Sequence, residues 1–385
     1  MKPLSRNPQE MRRSGIRMIM DLSAEVPDAI HLEVGQPDFD TPAHVVEAGC
    51  RAAKEGFTKY TPNAGLLSLR EAIVEKLRER NDIGATVDQV VVTPGAVTAI
   101  ATALLAIVEP GEEVLIPDPA WPNYEMMALS IGVVPVRYPL DPERGFLPDF
   151  GGMERAVSER TKALMVNSPC NPTGAVFPEG VMRKLVEFAE RHDLYLISDE
   201  VYEEIVFEGE HISPVRFDRD GRAVSVFGFS KTYAMTGWRL GYAVAPEPIA
   251  QVVAKLQEPF VSCASAISQK AGEAALRGNQ SCVAEMREAY RRRRDLAVGL
   301  FQEHGVAVHE PKGAFYMLVD VASSGLDSYT FAQKLLEKEK VAVAPGATFG
   351  PRGEGYVRIS LVTAEEQLLE GVRRLCRFLR CTGEV

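Results

Sequence analysis

The chain has 385 residues, a length that predicts two or three domains. Hydrophobic residues make up 46% and charged residues 25%, a composition that excludes a disordered or fibrous chain. Its 43 basic and 53 acidic residues give a net charge of −10, which argues against a nucleic-acid-binding protein, because such proteins need clustered cations. The longest nearly apolar run, 96–108, is shorter than the about 20 residues that span a bilayer, so we expect no membrane association.

The N-terminal segment is basic and contains Arg6, Arg12, Arg13 and Arg17. It lacks the apolar core of roughly 7 to 15 residues that a secretory signal needs, although a mitochondrial transit peptide could have this composition. Met11, Ile16 and Met20 recur at nearly helical spacing. We therefore interpret the segment as an ordinary amphipathic first helix.

Six cysteines and six histidines are scattered along the chain without a Cys-x-x-Cys pair or a metal-ligand cluster. This pattern favours free thiols in a reducing compartment over a disulfide framework or a zinc site. The sequence therefore predicts a cytoplasmic protein without a bound metal.

Between about residues 65 and 245, helical patterns such as 69–80 and 179–191 alternate with short β-branched runs. The predicted strands are 89–93, 113–116, 133–136, 163–166, 194–198, 223–227 and 242–245. This alternation predicts an α/β fold with a mostly parallel sheet covered by helices on both faces. Ligands of such sheets bind at the carboxyl ends of the strands.

Past residue 280 the pattern changes to that of a smaller α+β unit. A long helix over 281–304 contains Arg291 to Arg294 flanked by acids, which predicts a solvated, salt-bridged helix rather than a nucleic-acid surface. Strands at 314–319, 341–344 and 356–360 and helices at 328–338 and 364–378 are predicted after it. We expect the first 35 residues to pack with this unit.

Two charged clusters follow predicted strands of the large sheet. Asp199 and Tyr202 come directly after an apolar strand, where a carboxylate is costly unless it is paired, although it could simply cap the next helix. Lys231 follows the strand 223–227, with Arg239 eight residues further on. Desolvation there would lower the pKa of the lysine and favour a neutral, nucleophilic amine. A surface lysine is the alternative.

Two further segments present backbone or amide groups. The segment Asn-Pro-Thr-Gly at 171–174 forms a predicted turn that starts with the amide side chain of Asn171. The segment 93–97 is a strand–glycine–helix junction whose free N–H groups could hold a phosphate. Each signal is weak alone, and the four clusters together are far more specific.

In order and spacing, these clusters resemble the fold-type I pyridoxal-phosphate enzymes, specifically the class I and II aminotransferases, over nearly the whole chain. The matching segments are 34–42 (VGQPDFDTP), 59–62 (KYTP) with Gly65, 171–174 (NPTG), 199–202 (DEVY), 230–239 (SKTYAMTGWR), 313–316 (GAFY) and 358–360 (RIS). The resemblance implies a large cofactor-binding domain with a mostly parallel sheet, at 36–280. It also implies a smaller α+β domain built from both termini, at 1–35 and 281–385.

The resemblance implies that the cofactor is pyridoxal 5'-phosphate and that three catalytic residues contact it. Lys231 would bind the cofactor aldehyde covalently and later act as general base at the substrate α-carbon. Asp199 would keep the pyridine nitrogen protonated, so that the ring can accept electrons. Tyr202, together with Asn171, would donate to the ring oxygen and stabilise its anion.

The same resemblance assigns the remaining contacts to the cofactor. Trp121 would stack on the ring face. The phosphate would lie on the backbone N–H groups of Gly95, Ala96 and Val97, and Arg239 would supply a charge-assisted fork.

Two further positions of the resemblance concern contacts to the cofactor phosphate. Many relatives have a hydroxyl three residues before the lysine, but Gly228 occupies that position here, and Ser230 would be a poor substitute. Tyr60 matches a tyrosine that reaches the phosphate of the neighbouring subunit, which implies a homodimer.

The resemblance also implies the substrate contacts. Arg358 would pair bidentately with the substrate α-carboxylate, and Gly35 would allow the substrate to approach the backbone closely. Trp121 and Asn171 would border the substrate as well.

We predict an L-amino acid:2-oxoglutarate aminotransferase whose substrates are amino acids and 2-oxo acids. In many aspartate-selective relatives, a lysine after the phosphate-binding glycines meets the side-chain carboxylate, and the corresponding residue here is Val97. Because an apolar group cannot compensate a buried carboxylate, we expect broad, aromatic or alanine-type donors rather than strict aspartate specificity.

Two alternatives belong to the same structural family. A carbon–sulfur β-lyase would keep Lys231, Asp199 and Arg358 and would differ in its products. A transcriptional regulator with an aminotransferase-like domain needs a winged-helix unit, and only 33 residues precede the segment 34–42. A nicotinamide dehydrogenase is excluded, because no Gly-x-Gly-x-x-Gly turn is present.

Overall fold

The computed structural model describes residues 2, 4, 5, 7, 9, 11 and 13–382, so Arg6 and Arg12 of the basic N-terminal segment lie outside the described residues. Helices lie at α1 (Gly15–Ser23), α2 (Ala43–Lys54), α3 (Leu67–Asn81), α4 (Ala96–Ile107), α5 (Asn123–Ser130), α6 (Phe150–Ala156), α7 (Glu179–Arg191), α8 (Phe229–Thr232), α9 (Glu247–Phe260), α10 (Ala266–Arg277), α11 (Ser281–Glu303), α12 (Ser328–Glu339) and α13 (Glu365–Thr382). None of these described helices has the length and apolar character needed to cross a bilayer.

Strands lie at β1 (Ile30–His31), β2 (Val90–Thr93), β3 (Glu113–Asp118), β4 (Val134–Asp141), β5 (Leu147–Pro148), β6 (Thr161–Asn167), β7 (Tyr195–Asp199), β8 (Ala223–Gly228), β9 (Gly241–Val244), β10 (Tyr316–Asp320), β11 (Val341–Ala342), β12 (Ala344–Pro345) and β13 (Tyr356–Ser360).

An eight-stranded sheet in the order β2-β9-β8-β7-β6-β3-β4-β5 forms the centre of the molecule. The five strands from β8 to β4 pair in parallel, whereas β9 runs antiparallel to β2 and β8, and β5 antiparallel to β4. Every residue of β2 and β3 is buried. The prediction of an α/β fold with a mostly parallel sheet is confirmed, and the antiparallel β9 is a feature that apolar periodicity does not encode.

A second, three-stranded antiparallel sheet has the order β10-β13-β12. The N-terminal part of the chain contributes β1, which pairs in parallel with β11 in a separate two-stranded sheet, Ile30 opposite Val341. Ile19 and Leu32 are fully buried in the same apolar cluster as Phe331 and Leu375. The N- and C-terminal parts therefore share one core, while domain boundaries at residues 36 and 280 stay a prediction.

The prediction of a solvated, salt-bridged helix holds only in part for the four adjacent arginines of α11, which are all salt-bridged but not all solvated. Arg294 is only 3% exposed, and its Nη1 lies 2.9 Å from Oε1 of Glu208. The guanidinium of Arg293 pairs with both carboxylate oxygens of Asp38. These two arginines are salt-bridged as predicted, but the prediction that they are solvated is wrong, because neighbouring segments cover that side of the helix. The other two are exposed and salt-bridged, as predicted.

Candidate active site

A cavity of about 630 Å³ lies at the carboxyl ends of the central strands. Asp199 ends β7, Asn171 and Lys231 follow β6 and β8, and Arg358 enters from β13 of the second sheet. Ten of the twelve predicted site residues line this cavity: Gly35, Ala96, Val97, Trp121, Asn171, Asp199, Tyr202, Lys231, Arg239 and Arg358. Folding therefore brings together residues that are up to 323 positions apart in the sequence, from Gly35 to Arg358.

Lys231 lies in the single-turn helix α8, and its Nζ donates a hydrogen bond to the carbonyl oxygen of Gly35 at 2.6 Å. Burial lowers the pKa of Lys231 to about 8, with the cations Arg358 and Arg239 acting in the same direction and Asp199 opposing them. A fraction of the amine is therefore neutral near pH 7. The neutral amine is the form that attacks an aldehyde or accepts a proton.

Asp199 is 3% exposed, and its carboxylate has two donors. Tyr124 donates its hydroxyl hydrogen to Oδ2 at 2.6 Å, and the N–H of Val201 donates to Oδ1 at 3.3 Å. Burial raises the pKa of Asp199 to about 6, against the opposing effects of these hydrogen bonds and of Lys231. Above that pH the side chain is a buried carboxylate, which suits a partner that carries a proton.

The N-terminus of α4 and Arg239 form an anion-binding corner. Gly95, which precedes the helix, has φ +83°, and a Cβ atom there would lie 2.6 Å from Nη2 of Arg239. A Cβ atom on Gly241 would lie 2.4 Å from the backbone nitrogen of Ala96. Glycine at both positions thus permits the close approach of Arg239 and β9 to the helix. The first N–H groups of α4 have no intrahelical acceptor, so together with the guanidinium they suit a phosphate group.

Arg358 is 1% exposed and faces the same cavity. Its Nη1 donates to Oδ1 of Asn171 at 3.0 Å and its Nη2 to the carbonyl oxygen of Glu33 at 2.5 Å. The guanidinium stacks 4.1 Å from the ring centroid of Tyr316. The Nε atom of Arg358 has no hydrogen-bond partner among the described residues. None of their carboxylate oxygens lies within 4.0 Å of the guanidinium nitrogens of Arg358. A buried cation without a counter-ion favours an anionic ligand.

Tyr202 and Tyr316 connect the floor of the cavity to Arg358. Their hydroxyl oxygens lie 3.0 Å apart, and burial holds the pKa of Tyr202 well above its usual value, so Tyr202 remains a donor. Because the amide oxygen of Asn171 accepts from Arg358, its amide hydrogens remain available for another acceptor. A Cβ atom on Gly35 would lie 1.9 Å from the Tyr316 hydroxyl, so glycine keeps this part of the cavity open.

Two predicted site residues do not line the cavity of the single chain. Gly95 lies behind Arg239, where it shapes the corner described above. Tyr60 is 87% exposed and does not line the cavity, so its expected contact with a neighbouring subunit stays a prediction.

The structure adds lining residues that the sequence analysis missed: Ser14, Ile16, Arg17, Met20, Asn123, Tyr124, Asn167, Thr236 and Tyr316. Tyr124 lies three residues after Trp121, near the start of α5, and the two rings meet edge to face with centroids 5.4 Å apart. Tyr316 lies within the GAFY segment that carries the family resemblance. Nothing in the local sequence of α1 indicates that the helix borders the cavity.

Comparisons with known proteins agree with this geometry. The sequence profile described as aminotransferase class I and II matches residues 27–375. The aspartate aminotransferase of Pyrococcus abyssi is 43% identical over 95% of this chain and 96% of its own length. The aromatic-amino-acid aminotransferase 2 of Thermococcus litoralis is 40% identical over 95% of this chain and 96% of its own. The structure of Thermus thermophilus aspartate aminotransferase with maleate matches with a TM-score of 0.94 at 41% identity, covering 98% of this chain and 100% of that chain.

Proposed function

Since the chain belongs to the aminotransferase class I and II family, we propose that it transfers the amino group of an L-amino acid to 2-oxoglutarate, with pyridoxal 5'-phosphate as its cofactor. The observation that carries this proposal is the meeting of Lys231, Asp199 and Arg358 at one cavity. Such a reaction needs an amine for the cofactor aldehyde, an acid for the ring nitrogen and a cation for the substrate carboxylate.

The residues present fit the cofactor at both of its ends. The corner of Arg239 and the α4 N-terminus suits its phosphate, and Asp199 suits its ring nitrogen. When bound, the cofactor supplies a ring that accepts the electron pair left by the departing substrate proton. Lys231 would accept that proton, since a pKa of about 8 gives a base matched to neutral pH. Tyr202 and Asn171 would donate hydrogen bonds to the ring oxygen.

Arg358 supports the proposed carboxylate contact, because its unpartnered Nε belongs to a guanidinium that can form a two-point hydrogen-bonded pair. The rest of the wall includes apolar side chains, among them Val34, Val97, Ile100 and Trp121. These side chains accommodate aromatic or alkyl substrates. They support a broad donor range rather than strict selection of aspartate.

A homodimer forms part of the proposal. Tyr60, Phe260 and Val261 are 87%, 62% and 39% exposed, respectively. They lie on adjacent segments, because Nε2 of Gln257 donates to the carbonyl oxygen of Asn63 at 2.5 Å. Exposed apolar side chains on adjoining segments support a protein–protein interface there.

The proposal is tested by steady-state kinetics with aspartate, phenylalanine, tyrosine and alanine as donors and 2-oxoglutarate as acceptor. We expect glutamate and the matching 2-oxo acid in equal amounts. Pyruvate, ammonia and a thiol from a cysteine-type substrate, without glutamate, would instead identify a β-lyase. A hundredfold preference for aspartate over the other donors would contradict the interpretation of Val97.

A further inference from the structure

Four cations line the cavity within the part of the chain that the structure describes: Arg17, Lys231, Arg239 and Arg358. The proposed function uses the last three for the cofactor and for the substrate α-carboxylate. Arg17 has no role in that scheme. Its side chain is exposed, so it stands where the cavity meets solvent.

Helix α1 holds the backbone of Arg17 in a defined place. Ile19 is fully buried, and a Cβ atom on Gly15 would lie only 2.0 Å from Oγ1 of Thr348, so the helix packs closely against the C-terminal part of the chain. At its other end, Oγ of Ser23 donates to the buried Glu33 at 3.3 Å. Glu33 also binds Arg358 through its carbonyl oxygen, so α1 is tied to the substrate-binding arginine.

The guanidinium of Arg17 is available for a ligand. Asp21 lies one turn further along α1, at the spacing that usually gives an intrahelical ion pair, yet it pairs with Arg13 instead. Among the described residues, none forms a side-chain hydrogen bond or an ion pair with Arg17. Its neighbours on the cavity wall, Ile16 and Met20, are apolar.

We propose that Arg17 binds the distal carboxylate of dicarboxylate substrates, an inference that rests on the proposed function. Arg358 is committed to the α-carboxylate, and Val97 offers no charge. Arg17 is then the remaining cation on the cavity wall that can bind a second carboxylate of the substrate. Its planar fork matches such a group. Substrates with an aromatic or alkyl side chain would pack on Ile16 and Met20 and would not use the charge.

Kinetics of Arg17→Gln test this role, with 2-oxoglutarate and phenylpyruvate as acceptors. We expect KM for 2-oxoglutarate to rise about 10-fold, as for loss of one charge-assisted contact, with kcat nearly unchanged. The kinetics with phenylpyruvate should stay as in the wild type, and Arg17→Lys should recover part of the lost affinity. Arg292→Gln is the matched control, because Arg292 is an exposed arginine of α11 that does not line the cavity and has no contact with α1 or Asp21 among its ion pairs. Equal effects on both acceptors, or none on either, would overturn the proposal.

Calorimetry separates this inference from the proposed reaction. Glutarate and butyrate are titrated into wild-type and Arg17→Gln holoenzyme, and neither ligand can be transaminated. We expect glutarate to lose about 10-fold in affinity in the variant and butyrate to lose none. If the wild type does not turn over 2-oxoglutarate but glutarate binding still depends on Arg17, the proposed acceptor fails and the carboxylate site stands. If 2-oxoglutarate is turned over and glutarate binding is unchanged in the variant, the role of Arg17 fails alone.

Discussion

At the scale of single residues, Tyr124 opposes the effect of burial on the pKa of Asp199. Its hydrogen bond of 2.6 Å to Oδ2 stabilises the carboxylate and so holds down a pKa that burial raises to about 6. The proposed reaction needs the carboxylate form of Asp199. This form becomes protonated as the pH falls through that pKa. In Tyr124→Phe the pKa should rise further, by about one unit, so the acid limb of kcat/KM should move to higher pH. The pH profile of kcat/KM measures this shift.

Tyr138→Phe provides the matched control for that change. Tyr138 is an equally buried tyrosine whose hydroxyl donates to the carbonyl oxygen of Met165 at 2.9 Å, and it does not line the cavity. Its loss should lower stability without moving the acid limb. An acid limb that stays in place in Tyr124→Phe would show that the tyrosine does not control Asp199.

Arg358→Lys tests the carboxylate contact. Lysine keeps the charge but lacks the planar fork, and it cannot reproduce both the bond to Asn171 and the stacking on Tyr316. We expect kcat/KM to fall roughly 100-fold, mainly through KM, for every amino-acid donor. Arg292→Lys, on the exposed face of α11, should behave as the wild type. A change of less than threefold in Arg358→Lys would contradict the assignment.

At the scale of secondary-structure elements, the approach of Arg239 to the N-terminus of α4 depends on Gly95. Gly95→Ala would introduce a Cβ atom 2.6 Å from the guanidinium and displace it. We expect the affinity for pyridoxal phosphate to fall about 10-fold or more, measured by fluorescence titration.

Gly111→Ala is the control that separates backbone strain from displacement of the Arg239 guanidinium. Its φ of +90° is close to the +83° of Gly95, but a Cβ atom there has no neighbour within 4 Å. Both variants should lose about 1 to 3 kcal/mol of stability, because L residues rarely adopt the positive φ of either position. Cofactor affinity should fall only in Gly95→Ala, and an equal fall in both would refute the role of the corner.

The strands and three of the site residues have local signals in the sequence, whereas Gly35, Trp121 and Arg358 could be named only through the family resemblance. Apolar periodicity marks the strands, and Asp199, Asn171 and Lys231 follow strand ends, which the parallel topology brings to one edge. The burial of Arg294 and the position of α1 depend on which segments pack together. A single helix's sequence does not contain that information.

At the scale of the whole molecule, the proposed dimer predicts that two inactive variants complement each other. If Tyr60 serves the neighbouring site, a mixed dimer of Lys231→Ala and Tyr60→Ala subunits contains one site with both residues intact. Random mixing should make about a quarter of all sites intact. Refolding the variants together and measuring transamination tests this expectation. Activity no higher than the mean of the two separate variants would contradict a shared site.

The two sheets meet at the cavity, since Asp199 comes from one and Arg358 from the other. The chemistry therefore depends on the shared core that joins the N- and C-terminal parts of the chain. That dependence explains why no local motif alone identifies the site.

Covalent attachment of the cofactor at Lys231 is the central claim, and borohydride reduction measures it directly. Purified protein is incubated with pyridoxal phosphate, reduced, digested and analysed by mass spectrometry. The expected result is a phosphopyridoxyl group on Lys231 in the wild type and no stoichiometric label in Lys231→Ala. Stoichiometric labelling of a different lysine, or equal labelling of both proteins, would contradict it.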